Sequence, residues 1–442
     1  MSEPAPDAPA APAGEALREV FAPASYARAV PYALFRELRE HHPVCWIEEP
    51  AVGPWPAGPG YWAVFRHADV SRVLRSPELF SSHLGGTQIR DPATPGDLAF
   101  VRTMMLNQDP PAQLRLRRIV AAAFTPRAVR ELEDVIEARA HALIDAVAAR
   151  GEADYVDVAA DLPVWTLAHL MGVPEEDRLL LYDWSNRVIG YQDPDHAHSA
   201  TADPATLTPM GRAALALRPG AHGPDDRPLD PRSRAGLPDM FAYAHALAER
   251  PRPGSVMARM REAGLEHDEF ETMFFLFAVA GNETLRNGIP GGLLTFLQHP
   301  GQRALFLARP ELTASAVEEV LRHWPPVMDF RRTATRDTRL SGARIRRGDK
   351  VVVYHASANR DERVFTDPDR FDITRSPNPH VSFGHGPHMC LGAHLARVQL
   401  RAMLRTTLER LVDLELAGEP VRLTSNLQNG LKRLPVRWRT VR

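Results

Sequence analysis

The residues best able to do chemistry in this chain lie in "SFGHGPHMCLGAHLAR", residues 382–397, where Cys390 stands among His385, His388 and His394. Gly384, Gly386 and Gly392 surround it, and a helical pattern follows. Three readings compete. Cys390 could be a buried cysteine at a loop-to-helix junction. It could join the three histidines in a transition-metal site, since imidazole and thiolate both suit zinc. Or it could be the single thiolate ligand of a haem iron. The third reading asks for glycines that let backbone approach and turn beneath a flat object. It also asks for a packing residue such as Phe383, and for helix amides that lower the cysteine pKa and hold a thiolate. The stretch offers all of these, while His385 and His394 have no evident reason to converge. Apolar residues at 391, 395, 398 and 402 give the following helix a stripe by which it anchors in the core. Haem is therefore preferred to zinc.

Other segments extend this reading. "FAVAGNETLRN" holds Ala280, Gly281, Glu283 and Thr284 on an apolar helix. Gly281 is a weak helix former, and a Thr284 hydroxyl can bond back to a carbonyl one turn earlier, which together can open a groove. "EEVLR" places Glu319 and Arg322 three apart on one helix face, beside the apolar Val317, Val320, Leu321 and Trp324, so the pair is expected in the interior. "LNQDPPAQLRLRRIVAAAFTP" is a basic helix preceded by prolines.

Phe383, Gly386, Cys390 and Gly392 have the spacing F-x-x-G-x-x-x-C-x-G, and with these other motifs the chain resembles the cytochromes P450 over roughly residues 25–440. The resemblance implies a mainly α fold with a minor β portion, forming one domain over 16–442 behind a lead at 1–15. It implies haem b, with Cys390 as the axial ligand and Phe383, Gly386 and Gly392 shaping the loop. His388, Arg332 (with Arg331 as competitor), Arg117 and Gln113 would meet the propionates; Gln113 stands where many relatives carry His. Ala280 and Gly281 would border the oxygen site, and Thr284 with Glu283 would be the catalytic pair that relays protons. Glu319 and Arg322 would be a structural ion pair fastening the segment before the cysteine loop.

The implied activity is monooxygenation: one atom of O2 inserted into a hydrophobic small molecule. The chain holds no recognisable flavin or iron–sulfur module, so electrons are expected from a ferredoxin and an NAD(P)H-dependent ferredoxin reductase. Arg115, Arg118, Arg397 and Arg401 would form the docking patch. Several stretches resemble the branch of the family that oxidises steroids, terpenoids and lipids. Leu285, where that branch usually has Thr, and Pro290-Gly291-Gly292, which should interrupt the helix, leave a polyketide or other secondary metabolite open. A haem-binding sensor or electron carrier is the alternative of another class, disfavoured by the Glu283–Thr284 pair.

The elements needed to position these groups are legible. "YALFRELREHH" is an amphipathic helix, "GYWAVFRHADVSRVLRS" a strand and a helix, and 112–150 two helices parted at "FTPR". Two more are expected over 162–192, and others at "PDMFAYAHALAER" and from about 268 to 298. After residue 326, "FRRTATRDTRL", "ARIRRGDKVVVYHA" and "LPVRWRT" read as short strands. Residues 194–236, rich in Pro, Gly and Asp, are expected to be a long loop or lid. Of Phe275, Leu276, Val279 and Ala280, a subset such as Leu276 and Ala280 is expected to face the substrate.

Bulk properties exclude other classes. The 442 residues are 44% hydrophobic and 24% charged with a formal net charge of −2, so no global field points to nucleic acid or an anionic membrane. "MSEPAPDAPAAPAGE" lacks the basic and apolar regions of a signal peptide and is expected to be disordered. No apolar run reaches the ~18 residues of a membrane span. Two cysteines, Cys45 and Cys390, make no disulfide framework. The expected form is a monomer in a reducing cytoplasm.

Overall fold

The computed structural model of the chain describes residues 14–53, 55–193, 195, 202–220, 222–223, 226 and 229–440. The lead expected at 1–15 lies outside the described residues up to position 13, and a first helix begins at Gly14. Helices dominate. Those that bear on the site are α1 (Ala112–Ala121), α2 (Pro126–Ala148), α3 (Tyr155–Met171), α4 (Arg178–Ile189), α5 (His267–Gln298), α6 (Thr313–His323) and α7 (Ala393–Arg410). The parting at "FTPR" is where the sequence puts it. Thr125 caps α2 by accepting from the Ala128 N–H, and Pro126 takes the first helical position, where no donor is needed.

At 32 residues, α5 is the longest of these helices. It is apolar on nearly every side, so it is stable only inside the protein, and it packs on α3, α4 and α7. The interruption expected at Pro290-Gly291-Gly292 does not occur, and the helix runs on to Gln298. Pro290 removes one donor, but the surrounding helices hold the course. The glycines serve packing instead. A Cβ on Gly291 would lie 2.0 Å from Trp324 Nε1, and one on Gly292 2.9 Å from Val320 Cγ1. Their absent side chains let α5 rest on Trp324 and α6.

The main sheet has five strands: β1 (Val44–Ile47), β2 (Tyr61–Val64), β3 (Phe80–Ser81), β4 (Asp329–Ala334) and β5 (Lys350–Tyr354). Their spatial order is β1-β2-β5-β4-β3, with β2 and β5 parallel and the other pairs antiparallel. Both faces are covered. Val352 belongs to one buried cluster, with Phe35 and Tyr354, while Val351 and Val353 belong to another, with Val70 and Phe80. That explains the unbroken apolar run "VVVY". Arg331 pairs with Val352 and Arg332 with Val351, so strand alternation sends the two arginines to opposite faces.

The described part of 194–236 holds regular structure. A helix, Pro209–Leu215, sits in its middle. The Thr208 hydroxyl caps it, accepting from the Gly211 N–H while donating to Asp177 at 2.6 Å. "TPMGRAAL" carries that signal, a capping threonine followed by an N1 proline. Ala202, Leu207 and Ala214 join the helical core. Positions 194, 196–201, 221, 224–225 and 227–228 lie outside the described residues.

Candidate active site

The cysteine loop is closed by its own backbone. The Cys390 N–H donates to the Phe383 carbonyl at 2.8 Å, and the Gly384 N–H to Val381 at 2.8 Å. Gly384 (φ 67°) and Gly386 (φ 72°) occupy the left-handed region that glycine enters without strain. A Cβ on Gly386 would come within 2.5 Å of the Leu74 carbonyl oxygen, so the loop packs closely on protein backbone at this glycine. Gly392, in contrast, faces open space.

A cavity of about 1560 Å³, its open mouth included, is lined by Cys390, Arg117, Gln113, Arg332, His388 and His355, and also by Ala280, Gly281 and Thr284 of α5. Cys390 is open to this space but lies deep in the protein. Burial pushes its thiol above the usual value, opposed by the Gly392 N–H, Arg117 and Arg397. This corrects the expectation that helix amides lower it. The helix begins only at Ala393, and the contribution of a nearby N–H does not offset desolvation. A metal cation on the sulfur would favour the thiolate that the protein alone does not.

The polar side of the cavity is unfinished. Among the described residues Arg117 has no hydrogen-bond or ion-pair partner, and Arg332 donates only to the Arg331 carbonyl, at 2.8 Å. Burial lowers both guanidinium pKa values, that of Arg332 to about 10. Gln113 Nε2 donates to the Pro387 carbonyl at 3.0 Å, while its Oε1 is buried without a partner, as are both ring nitrogens of His355. His388 Nε2 lies 3.2 Å from Ser82 Oγ, and burial beside Arg332 and Arg117 holds its pKa down to about 3. Buried cations without counter-charge are costly. A planar dianion whose carboxylates meet them, with iron on the sulfur, fits this donor set, and haem is such a group. Arg331 faces away, ion-paired to Asp91.

Sequence reasoning missed His355. Its signal was a histidine ending the apolar run "VVVYHASA", a place where a polar residue needs a reason. The histidine set proposed for zinc is not assembled: His385 sits 3.1 Å from Ser71 Oγ, and His394 is exposed and outside the cavity lining. Among the described residues the three-ligand cluster of His, Cys, Asp or Glu is His245, His267 and Glu271, which does not include Cys390.

On α5, the Thr284 hydroxyl donates to the Ala280 carbonyl at 3.0 Å, the back-bond expected of it. A Cβ on Gly281 would meet Leu167 of α3 at 2.8 Å, so this glycine also allows close helix packing. Glu283 is turned elsewhere. Fully buried, it accepts from Ser185 at 3.0 Å, Arg286 at 3.0 Å and Asn287 at 3.2 Å, and it lines neither this cavity nor the next.

A second cavity of about 860 Å³, mouth included, adjoins at Leu276, Ala280 and Thr284. Apolar side chains such as Val101, Met104, Ile189 and Phe330 line it. Phe275, Leu276, Val279 and Ala280 all face it, against the expectation that only a subset would. Positions i, i+1, i+4 and i+5 fall within about 140° of one another at 3.6 residues per turn, so one broad face holds them all.

Glu319 and Arg322 are fully buried and joined by two bonds of 2.8 and 2.7 Å. Arg322 also donates to the carbonyls of Asn359, Pro368 and Arg370, and Glu319 accepts from the Asp372 N–H and Asn378. The pair thus pins the segment that leads to the cysteine loop. The basic patch is smaller than expected. Arg115 is paired with Glu269, Arg397 with Glu318 and Arg401 with Glu133, leaving Arg118 exposed and without a carboxylate among the described residues.

Comparison with known proteins follows the same line. The sequence profile of the Cytochrome P450 family matches residues 307–435. Steroid C26-monooxygenase of Mycobacterium tuberculosis (strain ATCC 25618 / H37Rv) is 36% identical over 424 residues, covering 93% of this chain and 90% of that protein. Linalool 8-monooxygenase of Pseudomonas putida is also 36% identical over 424 residues, covering 94% and 97%. A solved Mycobacterium marinum cytochrome P450 in complex with pseudoionone is similar at a TM-score of 0.79 and 34% identity, over 94% of this chain and 97% of that one. The chain belongs to the cytochrome P450 family, whose cofactor is haem. Within it, this protein is a monooxygenase acting with O2 and redox partners on a hydrophobic small molecule.

Proposed function

We propose that the chain hydroxylates a steroid, terpenoid or lipid, with haem b ligated by Cys390 and electrons delivered by a ferredoxin and its NAD(P)H-dependent reductase. Residues 16–442 act as one domain, as a monomer in the cytoplasm; no helix among the described residues is long and apolar enough to cross a membrane. One observation carries the reading: the cavity that exposes Cys390 beside unpaired Arg117 and Arg332 continues past Thr284 into an apolar chamber. The names of the similar steroid and linalool monooxygenases support the substrate class.

When bound, haem supplies the iron at which O2 is reduced by two electrons and two protons, one oxygen entering a C–H bond and the other leaving as water. The chain's own residues do the rest. Arg117, Arg332, His388 and Gln113, with His355 added here, would hold the propionates by charge and hydrogen bonding. Phe383, Gly386 and Gly392 shape the loop that presents the sulfur. Ala280 and Gly281 border the oxygen site. Thr284 holds a proton donor there: its hydroxyl, now on the Ala280 carbonyl, can turn toward the cavity it lines. Glu283 serves that step only through the helix it braces. Phe275, Leu276, Val279 and Phe330 exclude water and orient the substrate.

The test is spectroscopic. Reduced protein under carbon monoxide should show the red-shifted band of thiolate ligation, and Cys390→His should lose it while keeping haem. Titration with steroids, terpenoids, fatty acids and macrolides then reads substrate class from displacement of the haem spectrum. A colourless preparation, or a wild-type spectrum of histidine ligation, would overturn the assignment. A response to macrolides alone would move the substrate to the polyketides.

A further inference from the structure

The apolar chamber has one place where charge collects. Arg90 and Arg232 both line it, and they share a single carboxylate, Asp230. Asp230 is reached by Arg90 Nη2 at 3.4 Å, by Arg232 Nε at 3.3 Å and by the Arg232 N–H at 3.0 Å. Arg232 Nη1 also donates to Gln88 Oε1 at 2.5 Å. The guanidinium of Arg90 stacks over Trp55 at 3.9 Å and near Tyr191 at 5.1 Å, and that of Arg232 lies 5.4 Å from Tyr191. Aromatic walls and one aspartate thus hold two cations side by side.

The neighbouring acids do not balance them. Glu49 is paired with Lys350, and Asp91 with Lys350 and Arg331, a group that is neutral in itself. Asp329, which lines an adjoining small cavity together with Arg90, is buried without a hydrogen-bond partner and favours its uncharged form. Among the described residues, Arg90, Asp230 and Arg232 therefore leave one positive charge on an otherwise uncharged wall. The side chains of Arg232 and Arg90 are only 7% and 14% exposed, so this charge is screened by little water. Arg90 Nε, buried with no partner, shows how incompletely the protein satisfies it. An ion-pair lock needs equal charges; this cluster has one cation too many.

We infer that Arg90 and Arg232 form an anchor for a carboxylate, so that the substrate is an apolar acid whose hydrocarbon end is the part presented to the oxidising centre. The inference rests on the hydroxylase reading above and narrows its substrate class. A guanidinium pair matches a carboxylate by parallel N–H···O bonds, and aromatic stacking fixes the planes in advance. The chamber's apolar remainder takes the hydrocarbon. The anchor lies where Gly85–Pro92 meets residues 230–232, so acid binding also ties these two segments together.

The experiment uses holoprotein and displacement of the haem spectrum near neutral pH, with tetradecanoic acid, its methyl ester and progesterone as probes. The acid should bind at least about tenfold tighter than the ester, the worth of one charge-assisted contact, and the gap should narrow with salt. Arg232→Gln and Arg90→Gln should each erase most of that gap while ester affinity holds. Asp230→Asn, which keeps both arginines and removes their competitor, should tighten acid binding; it remains informative if an arginine variant fails to fold. Equal affinity for acid and ester in the wild type, or an acid preference that survives in both arginine variants, overturns the anchor while progesterone or ester binding leaves the hydroxylase reading standing. If none of the three probes nor any member of the wider panel binds, the anchor falls together with that reading.

Discussion

Thr284 and Glu283 are neighbours on α5 that serve different interiors. The threonine hydroxyl borders both cavities and bonds the Ala280 carbonyl, while the glutamate is locked between Ser185, Asn287 and Arg286. One residue step on a helix turns the side chain by about 100°, enough to separate a group that lines both cavities from one locked among buried neighbours.

Their substitutions should therefore fail in different ways. Thr284→Ala should keep haem and substrate binding but divert electrons into peroxide, read as product formed per reductant consumed. Glu283→Ala breaks the buried pair with Arg286 and should lower stability by about 3–5 kcal/mol, read by denaturant unfolding. A Glu283→Gln variant that keeps wild-type stability yet uncouples as Thr284→Ala does would restore the glutamate to the proton relay.

The two arginines of β4 give a second contrast. Arg332 faces the cavity, and Arg331 faces Asp91 and the Ile89 carbonyl. Arg332→Leu should speed loss of haem to apomyoglobin by about tenfold or more, the loss of one charge-assisted contact. Arg331→Leu should leave that rate near wild type and lower the unfolding midpoint instead. Equal haem loss in both would show that neither contact is specific.

Much of this was legible in the sequence because motif spacing fixes chemistry along one element. The Glu319–Arg322 pair, the Thr284 back-bond and the Arg117–Gln113 face of α1 each lie on a single helix, and the structure places them as that periodicity requires. What stayed hidden depends on what packs alongside. Gly291 and Gly292 look like helix breakers until Trp324 and Val320 are seen against them. The arginines at 115, 397 and 401 look like a basic patch because their partners, Glu269, Glu318 and Glu133, sit on other helices or far along the chain. Cys390 was expected to be acidified by its helix, but desolvation depends on the whole surrounding fold and has no local sequence signature.

His355 sets a pH dependence. Burial, followed by Arg332 and His385, lowers its pKa to about 3. The unfolded chain, with an ordinary histidine, binds a proton from about pH 6.5 downward, while the folded state refuses it until about pH 3. The unfolded state thus holds more protons across that window, and stability falls as pH drops through it. His323, buried near Arg360 and Arg322 and likewise held well below its usual value, acts in the same direction. Between about pH 6.5 and 5, above the carboxylate range, each such histidine contributes a slope of up to about 1.4 kcal/mol per pH unit. Chemical unfolding of the haem-free protein across that interval should show the slope, and His355→Gln should make it shallower. An unchanged slope would mean that His355 is already protonated in the haem-free fold.

Electron delivery should turn on Arg118 more than on its neighbours. Two deliveries per turnover favour a brief, charge-steered encounter, in which exposed rim charges chiefly set the association rate. A guanidinium already joined to a carboxylate projects little net charge, which describes Arg115, Arg397 and Arg401. Arg118 shares α1 with Arg117, which reaches into the cavity, so its charge sits on the outer side of the helix that borders the cofactor site. Arg118→Glu should raise the apparent ferredoxin KM severalfold and flatten its dependence on salt, without moving substrate affinity. The double variant Arg115→Glu with Arg401→Glu should change that KM less and should cost stability, because each new glutamate would face an old one. The comparison is made by steady-state reduction with ferredoxin titrated at several ionic strengths. A double variant that weakens ferredoxin more than Arg118→Glu does would move the docking face toward Arg115 and Arg401. Full turnover with reduced nicotinamide and no added protein would remove the need for a docking face altogether.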